Sequence, residues 1–344
     1  MNVRSSSTGP RGRSFTCCIL LLLCVCGAVR PARAADPEKV HGITLSTHTN
    51  GSDWATGDVA TTMSEMREVG AGWVAIHPYA AIRADGQVRF RALERGSLPE
   101  HLAKPIREAR RQGLRIVLKP HLAYWGTPFR WRGDIEFHEA PEWERFWATY
   151  SRWIVNLAAA CPDVDGFVVG TELDRTLAHE ERWRALIQAV RAQTGAPLTY
   201  AANWTDYQRV GFWDALDAIG IQAYFPLADR VGAGPEAIAR RWDERMRELR
   251  AYAAHHDRKI VFTELGYNRA FAAPVRPWDD ELDGAEAEQV QATCLRLALA
   301  AIEREPSVVG AFLWKWFPNP YPVGRTYQLA TPRIKRAISE IWLE

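Results

Sequence analysis

The sequence predicts a single (β/α)8 barrel. Short apolar segments that alternate with helical segments recur from His41 to the C-terminal end. Apolar strands that are each followed by a helix are typical of a parallel sheet covered by helices. Eight such units in one chain of 344 residues indicate that the sheet closes into a barrel. The average unit between Ile43 and Phe312 is about 38 residues long, which suits this fold.

A doubly wound open sheet is the alternative fold. It would carry a glycine-rich phosphate-binding loop after the first strand. The segment at that place, Ser46–Gly51, reads STHTNG and is no such loop. The chain also has no linker or shift in composition that would divide it. The barrel is therefore preferred.

The elements of the barrel follow one another in regular order. Proline at the start and glycine after the end mark helix boundaries, as Pro99 and Gly113 do for the second helix. The predicted strands are Gly42–Ser46, Trp73–His77, Arg115–His121, Gly166–Gly170, Pro197–Asn203, Ala218–Phe225, Ile260–Phe262 and Val308–Trp316. The predicted helices are Val59–Val69, Pro99–Gln112, Pro141–Cys161, His179–Thr194, a short one near Phe212–Leu216, Pro235–His256, Ala285–Arg304 and Pro332–Trp342.

The N-terminal segment reads as a secretory signal peptide rather than as part of the fold. Three arginines precede an apolar run at Cys17–Val29, and Ala32–Ala34 fits a cleavage site. The run is short for a membrane span of roughly 20 residues. We expect residues 1–34 to be removed and residues 35–344 to form the catalytic domain of a secreted or periplasmic protein. An uncleaved anchor, or a lipid on Cys24 or Cys26, is the alternative.

Composition and charge exclude some partners. The chain is 47% hydrophobic and 24% charged, as in ordinary globular proteins. Residues 1–34 hold five arginines and no acidic residue, so their removal takes the formal net charge from +2 to −3. Such a chain has no basic stripe for nucleic acid. We expect a monomer that binds carbohydrate, with no nucleic-acid partner and no membrane span in the mature chain.

No metal or cofactor is expected. Four histidines lie on the early strands, as in metal-dependent barrels: His41, His48, His77 and His121. They form no His-x-His motif and no close His-Glu pair. A Gly-x-Ser-x-Gly nucleophile elbow is also lacking. Cys161 and Cys294 are predicted to be buried thiols, although an oxidising compartment would permit a disulfide.

Two strands of the predicted barrel end in a glutamate. Active sites of this fold lie at the C-terminal ends of the strands, and Glu172 and Glu264 follow the fourth and seventh apolar runs. Other strand ends supply an amide, a phenol and two indoles: Asn203, Tyr224, Trp314 and Trp316. Glycoside hydrolysis needs two carboxylates beside a sugar. The set therefore predicts a glycosidase, whose carboxyl groups would be roughly 5–5.5 Å apart if it retains configuration.

Strand alternation predicts which side chains share a face. If Glu172 points into the barrel, so does Gly170, and if Glu264 does, so does Phe262. On the eighth strand, Trp314 and Trp316 would face inward together. Lys119 and His121 would line the cleft from the third strand, unless Lys119 instead neutralises the two acids. The loop residues Trp125 and Trp131 would offer a further sugar subsite.

Four motifs resemble glycoside hydrolase family 113, within the clan A retaining glycosidases. They are Leu118-Lys119-Pro120-His121, Gly170-Thr171-Glu172-Leu173, Gln222-Ala223-Tyr224-Phe225-Pro226 and Phe262-Thr263-Glu264-Leu265-Gly266-Tyr267. The characterised activity of that family is endo-β-1,4-mannanase. The resemblance covers residues 40–320 and implies that Glu172 is the general acid/base and Glu264 the nucleophile. The strand ends and the loop after the third strand supply the predicted substrate-binding set, namely Lys119, His121, Trp125, Asn203, Tyr224, Trp314 and Trp316.

One position departs from the clan pattern. Most members have asparagine before the acid/base, where it binds the sugar 2-hydroxyl, and this chain has Thr171. Either Asn203 on the fifth strand takes that contact, or the contact is weaker. Two other functions remain open on the sequence: a carbohydrate-binding barrel without catalysis, and a β-glycosidase that acts on a different sugar.

Overall fold

Eight parallel strands close into a barrel in the computed structural model, which describes residues 39–90, 93, 98–279, 281–318 and 326–344. The strands of these residues are β1 (Val40–Leu45), β2 (Trp73–Ile76), β3 (Tyr79–Ile82), β4 (Val88–Arg89), β5 (Arg115–Leu118), β6 (His121–Ala123), β7 (Gly166–Thr171), β8 (Leu198–Asn203), β9 (Ala218–Gln222), β10 (Lys259–Leu265) and β11 (Val308–Trp316). The predicted signal peptide, residues 1–34, and the start of the catalytic domain at residue 35 lie outside the described residues.

The barrel order is β1, β2, β5, β7, β8, β9, β10 and β11, and β11 pairs with β1 to close it. All eight pairings are parallel. The predicted fold class is confirmed. Because the strands are parallel, their C-terminal ends meet at one rim, where Glu172 follows the fourth barrel strand and Glu264 lies in the seventh.

Helices cover the outside of the barrel. In the described residues they are α1 (Asp53–Thr56), α2 (Val59–Glu68), α3 (Glu100–Arg111), α4 (Ala140–Ala160), α5 (Glu180–Arg191), α6 (Pro235–His256), α7 (Glu288–Arg304) and α8 (Pro332–Trp342). The residues at the helix ends are of the types that begin and end helices. The α6 helix begins at Pro235 and is followed by Asp257 with a φ of 50°, and Thr331 accepts a hydrogen bond from Ile334 N at the start of α8. None of the helices in the described chain is long and apolar enough to cross a membrane.

The interior of the barrel contains an apolar cluster of alanine, valine and phenylalanine side chains. Six strands each contribute one residue to an inner cluster: Ala75, Val117, Val168, Ala201, Val261 and Phe312. A larger apolar layer lies between the strands and the helices. Cys161 and Cys294 are buried free thiols, as predicted. The described barrel therefore has two apolar layers, one inside the ring of strands and one between the strands and the helices.

A small sheet lies beside the rim and was not predicted. Strands β3 and β6 pair in parallel, and β4 pairs antiparallel with β3. The predicted third strand, Arg115–His121, is divided into β5 and β6 by Pro120. Tyr79 pairs with His121 in this sheet, which holds both side chains next to the ends of the barrel strands.

Candidate active site

Glu264 is held as a carboxylate by two donors at the end of β10. The Lys119 ammonium forms a buried ion pair with Oε1, and the Tyr224 hydroxyl donates to Oε2 at 2.7 Å. Lys119 Nζ also donates to Thr263 O at 3.2 Å. Burial alone would raise the pKa of Glu264, but the charge and hydrogen bond of Lys119 and the hydroxyl of Tyr224 bring that pKa below its usual value. Glu264 is therefore ionised at neutral pH.

Glu172 lies just beyond β7 in a left-handed backbone conformation. Its φ is 51°, which is uncommon for residues other than glycine. Glu172 N donates to Ala201 O at 2.9 Å, and Leu173 N donates to Tyr200 Oη at 2.8 Å, so the strand end is fixed on both sides. Residues held in such conformations cluster at functional sites.

The environment of Glu172 raises its pKa. Burial has the largest effect on the pKa of this carboxyl, and the negative charge of Glu264 adds to the rise. The Arg132 guanidinium, whose Nη1 donates to Oε2 at 2.6 Å, and the Lys119 ammonium act in the opposite direction. The pKa of Glu172 is raised overall and that of Glu264 is lowered. Two carboxyl groups with diverging pKa values are what acid and base roles require.

A neutral imidazole lies between the partners of the two glutamates. His121 Nε2 is 3.7 Å from Glu264 Oε1, and His121 Nδ1 is 3.4 Å from Arg132 Nη2. Burial holds the pKa of His121 well below its usual value, and the nearby cations lower it further. His77 stacks on the same ring with centroids 5.0 Å apart, and burial likewise lowers its pKa. Both rings therefore supply hydrogen-bonding atoms without charge.

Trp314 forms one wall of the site. It is half-buried, and the Lys119 ammonium lies 4.8 Å from its ring centroid. The His77 and His121 rings pack against it at 5.2 and 6.1 Å. Trp125 lies further out, 59% exposed, with its ring 5.2 Å from that of Tyr79. These two indoles offer flat apolar surfaces of the kind that sugar rings contact.

No group of three or more histidine, cysteine or acidic side chains in the described residues is arranged to hold a metal ion. The carboxylates at the rim are instead neutralised by Lys119 and Arg132. This arrangement can donate and accept protons and can present a carboxylate as a nucleophile. It is the apparatus of acid/base and covalent catalysis at a polar substrate.

The comparisons with known proteins agree with this geometry. The family model of Glycoside Hydrolase Family 113 matches residues 43–328, which include both glutamates. The chain belongs to glycoside hydrolase family 113. It is therefore a retaining glycoside hydrolase, as the motifs predicted. No curated protein matches the sequence.

Several solved structures are similar to this chain over most of its length. The GH113 beta-mannanase AaManA from Alicyclobacillus acidocaldarius is 25% identical, with a TM-score of 0.76 over 90% of this chain and 98% of that chain. A GH113 beta-1,4-mannanase is 22% identical, with a TM-score of 0.77 over 89% of this chain and 99% of that chain. A family 5 mannosidase from Rhizomucor miehei, 12% identical with a TM-score of 0.63 over 90% and 94% of the two chains, shares the fold.

Several predicted site residues of this family 113 chain lie together at the rim. Lys119, His121 and Tyr224 surround Glu264, and Trp314 packs on them. Lys119 and His121 are almost fully buried, so they contact Glu264 rather than line an open cleft. Asn203 ends β8 opposite Gln222, with its side chain half-buried. The structure thus brings most of the predicted set to one place.

Trp316 is the exception: it was predicted to face inward as a substrate-binding residue, and the structure buries it in the apolar layer between the strands and the helices. Its side chain is 0% exposed and packs outward, where the Lys335 ammonium of α8 lies 5.2 Å from the ring. The register explains the difference. Leu313 pairs with Ile43 but Trp316 pairs with Leu45, so β11 contains one residue more than β1 between these pairs. The extra residue breaks the alternation that would have aligned Trp316 with Trp314.

Strand alternation also fails for the residues two positions before each glutamate. A Cβ on Gly170 would lie 2.5 Å from the Trp183 ring of α5, so this position faces the helices. Phe262 packs against Trp242 of α6, again on the outside. The left-handed φ of Glu172 and a register shift before Glu264 turn both carboxylates to the rim instead.

Arg132 contacts Glu172 at the rim, and the sequence prediction did not include it. It lies on a short 3₁₀ helix, Arg132–Asp134, in the aromatic loop that follows β6. The loop was singled out for its tryptophans, Trp125 and Trp131, and not for its arginines. The sequence offered no signal for Arg132, because a loop has no periodicity from which a side-chain direction follows.

Proposed function

We propose that this family 113 glycoside hydrolase cleaves β-1,4-mannan or a related β-mannoside polymer, with Glu264 as nucleophile and Glu172 as general acid/base. One observation carries the proposal. Two buried carboxyl groups occupy the ends of the fourth and seventh barrel strands, and their environments shift their pKa values in opposite directions. The solved family members named as mannanases support mannan as the substrate class.

The first step uses the two glutamates together. Glu264 attacks the anomeric carbon while protonated Glu172 donates its proton to the leaving glycosidic oxygen. The ion pair with Lys119 and the hydrogen bond from Tyr224 keep Glu264 ionised for attack. The product is a glycosyl ester on Glu264 and a carboxylate on Glu172. The elevated pKa of Glu172 favours the protonated form that this step consumes.

The second step reverses the role of Glu172. Its carboxylate takes a proton from water, and the water oxygen attacks the anomeric carbon and displaces Glu264. Two inversions give a product with the starting configuration. Glu172 is protonated again and Glu264 is again a carboxylate, so the enzyme returns to its initial state.

Substrate contacts follow from the exposed groups at the rim. We assign the face of Trp314 to the sugar beside the glutamates and the exposed ring of Trp125 to a more distant sugar. Thr171 donates its hydroxyl to Pro120 O at 3.1 Å, so this hydroxyl is already used by the backbone. Asn203 is then the candidate amide for the 2-hydroxyl.

A reducing-sugar screen tests the proposed function. The wild-type protein is assayed on mannan, glucomannan, cellulose, xylan and aryl β-glycosides. We expect the wild type to release reducing sugar from mannan and glucomannan. The activity of the Glu172→Gln variant on polymer should be at least about 100-fold lower, as for removal of a general acid. Preferential release from cellulose or xylan would refute the assignment of mannan. Binding of mannooligosaccharides without any release would refute catalysis.

We also propose that residues 1–34 direct the chain out of the cytoplasm. The basic start, the apolar run and the Ala32–Ala34 motif support this proposal. Mass spectrometry of the protein recovered from an expressing bacterium should give a mature chain that begins at Ala35. An intact N-terminus, or a lipid-modified Cys24 or Cys26, would contradict it.

A further inference from the structure

The guanidinium of Arg132 is built into the site through three contacts. Its Nη1 donates to Glu172 Oε2 at 2.6 Å, with the Arg132 and Glu172 side chains 15% and 13% exposed. Its Nη2 lies 3.4 Å from His121 Nδ1, and its carbon lies 5.9 Å from the ring centroid of Tyr124. A buried, charge-assisted hydrogen bond of this length fixes the orientation of the carboxylate it contacts.

This contact favours one charge state of Glu172. Glu172 must carry a proton before the first step and must be a carboxylate before the second. A guanidinium stabilises the carboxylate and disfavours the protonated acid. Arg132 therefore opposes the first step, which consumes protonated Glu172, and favours the carboxylate form of Glu172 with which the second step begins.

Several other charged groups also face Glu172. Glu264 on β10 and Asp174, which follows on the next 3₁₀ turn, favour the protonated form. Lys119, after β5, acts with Arg132 and favours the carboxylate. Burial also favours the protonated form. Two buried phenols lie near enough to respond to its charge: Tyr200 and Tyr224. Only Arg132 combines a charge with a direct hydrogen bond to the Glu172 carboxylate among the contacts of the described residues.

We propose that Arg132 is a positioning residue that acts through Glu172, fixing its carboxylate and favouring the water-activating half of the reaction. This inference rests on the proposed roles of the two glutamates. It assigns a function to an arginine of the loop after β6, which none of the four sequence motifs contains. The loop would deliver a fixed positive charge to the acid/base rather than only a tryptophan to the substrate.

The pH dependence of an Arg132→Met variant tests the proposal. Loss of an opposite charge at this distance raises a carboxyl pKa by roughly 1–3 units. The alkaline limb of kcat/KM reports the loss of the Glu172 proton in the free enzyme, so it should move upward by that amount. With a 2,4-dinitrophenyl β-mannobioside, whose leaving group needs no acid, the second step should slow and a burst of dinitrophenol should appear.

Two further variants control this experiment. Arg130→Met removes an arginine of the same loop that is 88% exposed and pairs only with Asp134 among the ion pairs of the described residues, so its pH profile should match that of the wild type. Arg132→Lys keeps the charge, so the alkaline limb of its kcat/KM profile should lie close to that of the wild type. Arg132→Gln keeps a hydrogen-bond donor without charge and replaces the methionine variant if that variant does not fold.

A second readout separates this proposal from the proposed function. Carbon-13 NMR of carboxyl-labelled glutamate, with Glu172→Gln to assign the signal, measures the pKa of Glu172 without turnover. A higher pKa in Arg132→Met or Arg132→Gln supports the proposal. A folded variant with an unchanged Glu172 pKa and an unchanged alkaline limb overturns it. Inactivity of the wild type on every β-glycan would instead refute the proposed function, whatever the NMR titration gives.

Discussion

Removal of the Tyr224 hydroxyl should have a defined effect on catalysis and on the pKa of Glu264. The hydroxyl donates to Glu264 Oε2 at 2.7 Å from a buried position. A hydrogen bond to a charged group contributes about 1.5–3 kcal/mol. We expect Tyr224→Phe to lower kcat by roughly 10- to 100-fold, and to move the acid limb of kcat/KM upward because the pKa of Glu264 rises. Steady-state kinetics from pH 4 to pH 9 would measure both effects.

The matched control for this substitution is Tyr252→Phe. Tyr252 donates its hydroxyl to Tyr207 O at 3.0 Å on the outside of the barrel. This variant should keep the pH profile of the wild type. An unchanged acid limb in Tyr224→Phe would mean that the hydroxyl does not control the charge of Glu264.

Asp174 should make stability depend on pH. It is 6% exposed, and burial, with the charges of Asp206 and Glu172, raises its pKa to about 8. A carboxyl whose folded pKa is raised contributes stability that is fully present below its unfolded pKa, near 3.9, and is lost as pH rises through the folded pKa. The free energy of unfolding of the wild type should therefore fall between pH 4 and pH 8 relative to Asp174→Asn.

Urea unfolding at pH 4, 6 and 8 measures this difference. Asparagine keeps the shape of Asp174 and cannot ionise, so the two proteins should differ most at pH 8, with the variant the more stable. A constant difference across the three pH values would show that Asp174 does not titrate in this range.

At the level of elements, the seam between β1 and β11 depends on a glycine. Gly310 has a φ of 143°, and a Cβ there would lie 2.2 Å from Val40 O. A side chain would have to push apart the strands that close the barrel. We expect Gly310→Ala to lower the free energy of unfolding by about 1–3 kcal/mol or more. Gly195→Ala, where a Cβ meets nothing within 4 Å, is the control and should change stability little.

The elements show what the sequence could and could not predict. The bounds of α6 and α8 were predicted to the residue, because proline begins each helix and clear apolar periodicity runs to its end. The small sheet of β3, β4 and β6 was missed, because two- to four-residue strands have too little periodicity to be recognised. Trp316 was misplaced because alternation assumes that β11 stays in register with β1.

For the whole molecule, topology made the two glutamates predictable. Parallel strands in a closed barrel bring their C-terminal ends to one rim, so Glu172 and Glu264 meet although they lie far apart in the chain. Lys119 and Tyr224 follow by the same rule, since they too lie at strand ends. Arg132 does not, because it reaches Glu172 from a loop whose path depends on tertiary packing rather than on a repeating pattern.

The central claim is that Glu264 forms the covalent intermediate and Glu172 moves the proton. Azide rescue of Glu264→Ala with a 2,4-dinitrophenyl β-mannobioside tests it most directly. The variant should be inactive without azide, and azide should restore turnover and give the α-mannobiosyl azide, since azide then attacks in place of Glu264 from the same face. Full activity without azide, or a β-configured azide product, would contradict the assignment of Glu264 as the nucleophile.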